Sequence, residues 1–199
     1  MKKKLLYILI IVFLFIFNVS KSIDNKSTHK ILLAKMSPEG RMDIFAVTGL
    51  DLYSMDYEGK NIQKLTDSKG NNCSGVWSPD GTKIAFLSTR DTKSNLRWDI
   101  YIIDEDGSNL KRLTDMNCHN TQLAWSPDRT KIAFSSNKNF DRDIYVIDVD
   151  GSNLKRLTTD NETDENPVWS PDGTKIAFLS TRDGSSTCYI MNSDGTDQK

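Results

Sequence analysis

The sequence predicts an all-β fold: a partial β-propeller of about four four-stranded antiparallel blades, preceded by an N-terminal signal helix. Three observations carry that prediction. A Trp-Ser-Pro-Asp phrase starts at Trp77, returns 48 residues later at Trp125 and 44 later again at Trp169. Between the copies, runs rich in Ile, Val, Phe, Tyr and Thr alternate with clusters of Gly, Pro, Asp and Asn. After residue 22 no stretch sustains the i, i+3, i+4, i+7 apolar spacing of a long helix. A period of about 40–50 residues made of short apolar segments denotes one supersecondary unit that buries its faces against copies of itself.

The first element is a targeting segment. Residues 1–4 read Met-Lys-Lys-Lys, and an uninterrupted apolar run of 13 residues follows from Leu5 to Phe17. A spanning helix needs about 20 residues, whereas about 7–15 suit the core of a signal peptide. Ser20 and Ser22 form a small-x-small cleavage pattern. Residues 1–22 are therefore read as a signal peptide, or as a signal anchor if retained, and residues 23–30 as a linker. No Cys stands near this junction, which argues against a lipid anchor. Cleavage removes Lys2, Lys3, Lys4 and Lys21 and no acid, so the formal net charge moves from −1 to −5. An acidic exported chain does not suit nucleic acid or anionic lipid as a partner. Membrane contact is expected only through an uncleaved anchor.

The remaining residues, 31–199, form the repeats, with blades at about 31–66, 74–114, 122–158 and, incomplete, 166–199. In the third copy, strand one ends at Trp125 and Ser126-Pro127-Asp128 turns the chain. Strand two covers Lys131 to Ser135, and a polar loop occupies 137–142. Strand three covers Asp143 to Asp148, Asp150-Gly151 turns again, and strand four covers Leu154 to Thr158. In the first copy, Met36-Ser37-Pro38-Glu39-Gly40 is matched to Trp-Ser-Pro-Asp-Gly. The fourth copy starts at Trp169 and lacks the closing Leu-Thr.

The turns have a mechanism. In Ser78-Pro79-Asp80-Gly81 and Ser170-Pro171-Asp172-Gly173, Ser accepts at the first turn position and Pro pre-sets φ near −65°. Asp follows, and Gly takes the left-handed position after it. Ser126-Pro127-Asp128 is followed instead by Arg129, where a positive φ costs about 1 kcal/mol. That hairpin is expected to be the least stable. Asp106-Gly107, Asp150-Gly151 and Asp194-Gly195 are hairpin signals between strands three and four.

Packing explains the strands. Ile-Ala-Phe and Asp-Ile-Tyr-Val-Ile-Asp are nearly continuous apolar runs, as expected of a sheet covered on both faces. Trp77, Trp125 and Trp169 recur once per blade and are expected to fill equivalent gaps between blades, each contributing about 2–3 kcal/mol. Their repetition marks them as structural.

The phrases Trp-Ser-Pro-Asp-Gly-Thr-Lys-Ile-Ala-Phe and Asp-Ile-Tyr-Val-Ile-Asp-x-Asp-Gly-Ser-Asn-Leu-Lys-Arg-Leu-Thr resemble the β-propeller repeat of the TolB family, over about residues 31–199. That resemblance implies a periplasmic or cell-surface protein that binds protein or peptide in the cell envelope, as TolB does in the Tol–Pal system. Similar blades precede prolyl-oligopeptidase-type catalytic domains and occur in polysaccharide lyases, so a peptidase propeller fragment and a carbohydrate-active lyase are the alternatives. The chain differs from TolB in having no α/β domain between signal and first blade, and in having fewer repeats. Exposed edges in a short arc favour a piece of a longer propeller over a closed four-blade ring, in which Lys30 to Leu33 would supply the missing outer strand.

Candidate chemistry is sparse. Asp104-x-Asp106-Gly107 and its copy at Asp148 look like a calcium loop, but Gly comes too early and Leu113 and Leu157 stand where the Glu ligand belongs. No catalytic residue, cofactor or metal site is assigned, and a weak structural cation near the Asp-x-Asp pairs is the one cofactor left open. Cys118-His119 lacks zinc-type spacing, and His29 and His119 are the only histidines. No Gly-x-Ser-x-Gly elbow is present. Cys73 and Cys118 precede adjacent first strands and are candidates to pair in an oxidising compartment, whereas Cys188 is read as a buried small apolar residue. Asp160, Glu162, Asp164 and Glu165 form an acidic loop, the nominated contact for a basic partner.

Overall fold

The computed structural model describes residues 30–36, 42–43, 46–47, 50–56, 58–67, 69–92, 97–116 and 118–199. The expected signal segment, residues 23–29 of the linker and Ser37-Pro38-Glu39-Gly40 lie outside the described residues. Every described element is a strand.

Two complete blades occupy the middle of the chain. Blade 2 comprises β6 (Asn72–Trp77), β7 (Lys83–Ser88), β8 (Asp99–Asp104) and β9 (Lys111–Arg112). Blade 3 comprises β10 (Asn120–Trp125), β11 (Lys131–Asn139), β12 (Asp141–Asp148) and β13 (Lys155–Arg156). Each is a four-stranded antiparallel meander in sequence order. Blade 4 has three strands, β14 (Asp164–Trp169), β15 (Lys175–Ser180) and β16 (Thr187–Asn192). Ile190 and Lys199 exchange backbone hydrogen bonds of 2.8 and 3.0 Å, the start of a fourth pairing. Blade 1 joins β1 (Lys30–Met36), β4 (Leu50–Asp56) and β5 (Gln63–Lys64), and a small hairpin of β2 (Met42–Asp43) and β3 (Ala46–Val47) intervenes. Of the four expected four-stranded blades, two are complete among the described residues.

The register corrects the reading of the first copy. Lys30 pairs with Asp56, as Lys83 pairs with Asp104 and Lys131 with Asp148. Lys-Ile-Leu-Leu-Ala-Lys is thus the second strand of blade 1, not the end of a first strand, and it is not a donor to the last blade. The Ser-Pro pair misled the match. Pairing follows the apolar run, because Leu32 must be buried; it sits where a Cβ on Gly75 would lie, 2.3 Å from its Cδ2. The expected polar loop 137–142 is also corrected. It extends β11 and β12 into a longer hairpin with Asn139 opposite Asp141.

A bulge that the sequence did not announce interrupts each first strand. Ser74, Gln122 and Asn166 carry φ of 51°, 55° and 58°, where the ladder slips by a step.

The core lies between blades. Leu32, Leu52 and Leu65 of blade 1 pack against Trp77, Phe86 and Tyr101 of blade 2. The other face of blade 2, with Leu87, Ile100 and Ile102, meets Trp125, Phe134 and Tyr145 of blade 3. Ile144, Val146 and Leu157 then meet Ile176, Phe178 and Met191 of blade 4. Alternate residues of one strand therefore face opposite neighbours, which explains the continuous apolar runs. The far face of blade 4 is open. Val168 is 60% exposed and Ile190 42%, whereas Val146, at the same strand position as Ile190, is 6% exposed.

Candidate functional site

Antiparallel order places the Ser-Pro-Asp turns and the Asp-Gly turns on one edge of blades 2, 3 and 4. The loops between strands two and three, and those between blades, lie on the other edge.

On the turn edge each Ser-Pro-Asp motif closes on itself. Ser78 Oγ donates to Asp80 Oδ1 at 2.7 Å, Thr82 donates to the same oxygen through N and Oγ1, and Lys83 N donates to Ser78 Oγ at 3.0 Å. Ser126, Asp128 and Thr130 repeat this set, as do Ser170, Asp172 and Thr174. Pro79, Pro127 and Pro171 occupy the second turn position in each. The Ser170 hydroxyl and its neighbours hold the Asp172 carboxyl at about 2. Gly81, Arg129 and Gly173 have φ of 71°, 66° and 71°, so Arg129 adopts the left-handed backbone that its position demands.

The Asp-Gly turns latch successive blades. The Gln63, Lys111 and Lys155 side chains donate to the carbonyls of Asp106, Asp150 and Asp194 in the following blade, at 2.7–2.8 Å. At Gly107, with φ 86°, a Cβ would press on the Leu65 carbonyl at 3.0 Å, so glycine eases that approach. Asp104 and Asp148 bind the Asn109 and Asn153 amides and the Lys83 and Lys131 ammonium groups, and Asp106 accepts from Ser108 N. The Asp-x-Asp carboxylates are thereby engaged within their own blades. Among the described residues, no group of three His, Cys, Asp or Glu side chains is arranged to hold a metal ion.

Trp125 and Trp169 fill the gaps between blades, and each indole Nε1 donates to a backbone carbonyl of the preceding blade, Val76 at 3.1 Å and Ala124 at 3.2 Å. Trp77 is buried against blade 1.

The grooves between blades differ on the turn edge. In the groove between blades 2 and 3, Arg129 Nη1 donates to Asp80 Oδ2 at 2.7 Å. Partial burial raises the Asp80 carboxyl, but Ser78, Arg129 and Thr82 together hold it well below the usual range. Between blades 3 and 4 the corresponding residue is Gly173, and a cleft of about 480 Å³ opens there. Asp128, Asp172 and Asp194 line it, with Trp169, Val146 and Leu157 as its apolar wall.

Residues 99–199 match the family of the TolB beta propeller domain. The chain belongs to that family. No curated protein matches the sequence. Among solved structures, a protein assigned as TolB from Agrobacterium tumefaciens superposes with a TM-score of 0.70 at 21% identity, over 91% of this chain and 60% of that one. TolB from Acinetobacter baumannii gives 0.68 at 22% identity, over 91% and 42%. An oligogalacturonate lyase in complex with manganese gives 0.67 at 17% identity, over 90% and 51%. The chain thus spans between about two fifths and three fifths of these structures, and at such identities the likeness is one of fold.

On the loop edge of these TolB-type blades, the acidic segment divides. Asp164 is wholly buried at the start of β14 and pairs with Arg182, which also binds Asp160 at 2.7 Å. Glu165 pairs with Arg142 at 2.8 Å. Glu162 faces solvent. Asp164 stands where the other blades have Asn72 and Asn120, both buried; strand register could have exposed that equivalence, but the surrounding acids masked it. Phe140, at the tip of the extended hairpin, is 98% exposed with φ 80°.

Sequence reading missed the buried ion pairs. Asp51, Asp99 and Asp143 lie within the first three residues of the third strands and pair with Lys64, Arg112 and Arg156 of the fourth strands at 2.6–2.9 Å. The closing Thr of the repeat binds in the same place: Thr66 and Thr114 donate to Asp51 and Asp99, and Thr158 accepts from Ile144 N. The Asp…Lys/Arg-Leu-Thr spacing was a readable signal. All three cysteines are free thiols, so the Cys73–Cys118 pairing is not formed. Cys188 is exposed rather than buried, because it lies on the open face of blade 4.

Proposed function

We propose that this protein is an exported propeller of the TolB type that binds a protein or peptide partner in the cell envelope through the edges of its blades. The observation that carries this reading is the cleft of about 480 Å³ on the turn edge, walled by Trp169 and rimmed by Asp128, Asp172 and Asp194 on rigid hairpins. Such a wall of one indole and aliphatic side chains under a charged rim suits recognition of a peptide. The basic n-region and the short apolar run at the N-terminus support export. Glu162, the solvent-facing acid of the nominated segment, and Phe140 would add contacts on the opposite edge.

The second reading, a propeller belonging to a carbohydrate lyase or a peptidase, draws on the fold likeness to oligogalacturonate lyase. One experiment separates the two. The tagged chain is cross-linked in envelope extract through lysines and the linked peptides are mapped. Links from Lys131, Lys155 or Lys175 of the turn edge to one reproducible partner support the binding role. Cleavage of oligogalacturonate or of a peptide panel by the same preparation, with no such link, would favour the enzyme.

A further inference from the structure

We infer that the groove between blades 3 and 4 is a receptor for a guanidinium group, and that the partner inserts an arginine side chain there. The inference rests on the binding role proposed above and narrows it to one site and one chemistry.

The protein contains its own template for the complex. In the groove between blades 2 and 3, the Arg129 guanidinium lies on Asp80 Oδ2 at 2.7 Å. The next groove repeats the acceptor but not the donor. Asp128 is held by Ser126 and Thr130 as Asp80 is held by Ser78 and Thr82. Gly173 occupies the position of Arg129 with nearly the same φ, 71° against 66°. With no side chain at Gly173, Asp128 Oδ2 accepts only the Thr130 hydroxyl, at 2.9 Å, among the described residues. Asp128 is exposed where Asp80 is half-buried. The cleft in front of it is the space that an arginine at 173 would enter.

Neighbouring charges favour a cation. Lys131 and Lys155 line the cleft; Lys131 is paired with Asp148, and Lys155, held by the Asp194 carbonyl, keeps its charge but is outnumbered by the three acids. Asp128, Asp172 and Asp194 remain on the rim as acids. A guanidinium is preferred to an ammonium because the template is an arginine and because the Trp169 indole offers a flat wall for the planar group. The aliphatic stem would lie along Val146 and Leu157.

The test titrates the full chain, at low salt, with the capped peptide Gly-Arg-Gly and with its uncharged isostere Gly-citrulline-Gly, followed by calorimetry and NMR shifts. One saturable site is expected for the arginine peptide. Affinity should fall at least about tenfold for the citrulline peptide and for Asp128→Asn. Gly173→Arg should close the site and abolish binding. Arg129→Gly should uncover Asp80 and raise the stoichiometry to two; it keeps the test open if Gly173→Arg fails to fold. Equal binding of both peptides, absence of saturable binding, or indifference to Asp128→Asn and Arg129→Gly overturns the inference. A Gly173→Arg chain that folds and still captures the same envelope partner refutes this site while leaving the broader binding role intact.

Discussion

Arg129 reaches across a blade boundary to Asp80, with Nη1 2.7 Å from Oδ2, from a backbone held at φ 66°. Two opposing effects meet there. The left-handed backbone of a non-glycine residue costs about 1 kcal/mol. The ion pair, with Arg129 56% exposed, returns about 0.2–1 kcal/mol. The expectation that Arg129 makes its hairpin the weakest omitted the second effect. Arg129→Gly should therefore change stability by less than about 1 kcal/mol in either direction. A double-mutant cycle with Asp80→Asn, run by urea denaturation, should show a coupling that shrinks as salt rises. Coupling that is absent at low salt would remove the compensation.

The tryptophans should rank by burial and by their cross-blade bond. Trp125→Phe keeps the ring volume roughly but leaves the Val76 carbonyl without the indole donor, and should cost about 1–2 kcal/mol. Trp125→Ala should cost about 3–5 kcal/mol, and Trp169→Ala less, because Trp169 is only half-buried beside the cleft. Chemical denaturation of the three variants checks the order; equal losses at Trp125 and Trp169 would contradict it.

Two groups of aspartates should give opposite pH responses. Burial raises the carboxyls of Asp143 and Asp164, and repulsion from Asp160 adds to the effect in both. Their favourable contribution is complete below the ordinary value near 3.8 and is lost as pH rises through the raised values. Asp128 and Asp172 are lowered, chiefly by the hydroxyls of Ser126 and Ser170. Their contribution is present above 3.8 and is lost as pH falls through the lowered values. Asp164→Asn, which restores the residue found at Asn72 and Asn120, should stabilise the chain at pH 7 by about 1 kcal/mol, and the gain should vanish near pH 4. Urea melts at both pH values measure it, and a pH-independent difference would speak against the raised carboxyl.

The three thiols should react in a fixed order. Cys188 is exposed, while burial pushes the Cys73 thiol up to about 11 and also raises Cys118, which contacts Ser136 Oγ at 3.1 Å. Under native conditions at pH 8, iodoacetamide followed by peptide mass spectrometry should find Cys188 modified first and Cys73 last. Early modification of Cys73 would mean that the boundary between blades 2 and 3 opens readily.

Strands, turns and two-sided burial were legible because each is written in contiguous residues. Ser78-Pro79-Asp80-Gly81 closes through bonds that span at most five positions, and the periodic Ile-Ala-Phe run has to be covered on both faces. The first blade was misread because one Ser-Pro dipeptide outweighed the pairing of Lys30 with Asp56, which no local signal records. Acids surrounding Asp164 in sequence point to an acidic loop open to a basic partner, whereas strand β14 turns it inward onto Arg182. Ser74 and Gln122 gave no warning of their bulges, since neither residue type favours positive φ, and Asn166, whose type does, stands alone among the three.

The repeat alone dictated four leaves of β-sheet, their turn chemistry and the need of each leaf for a neighbour, because those follow from side-chain pattern and backbone geometry within about forty residues. Packing between leaves decided which groove is filled and which is open. Arg129 meets Asp80 only when two blades dock, and Gly173 leaves Asp128 uncovered only in the next groove. Contacts between residues nearly fifty positions apart depend on how one twisted sheet seats on another, and that seating is a property of the assembled blades.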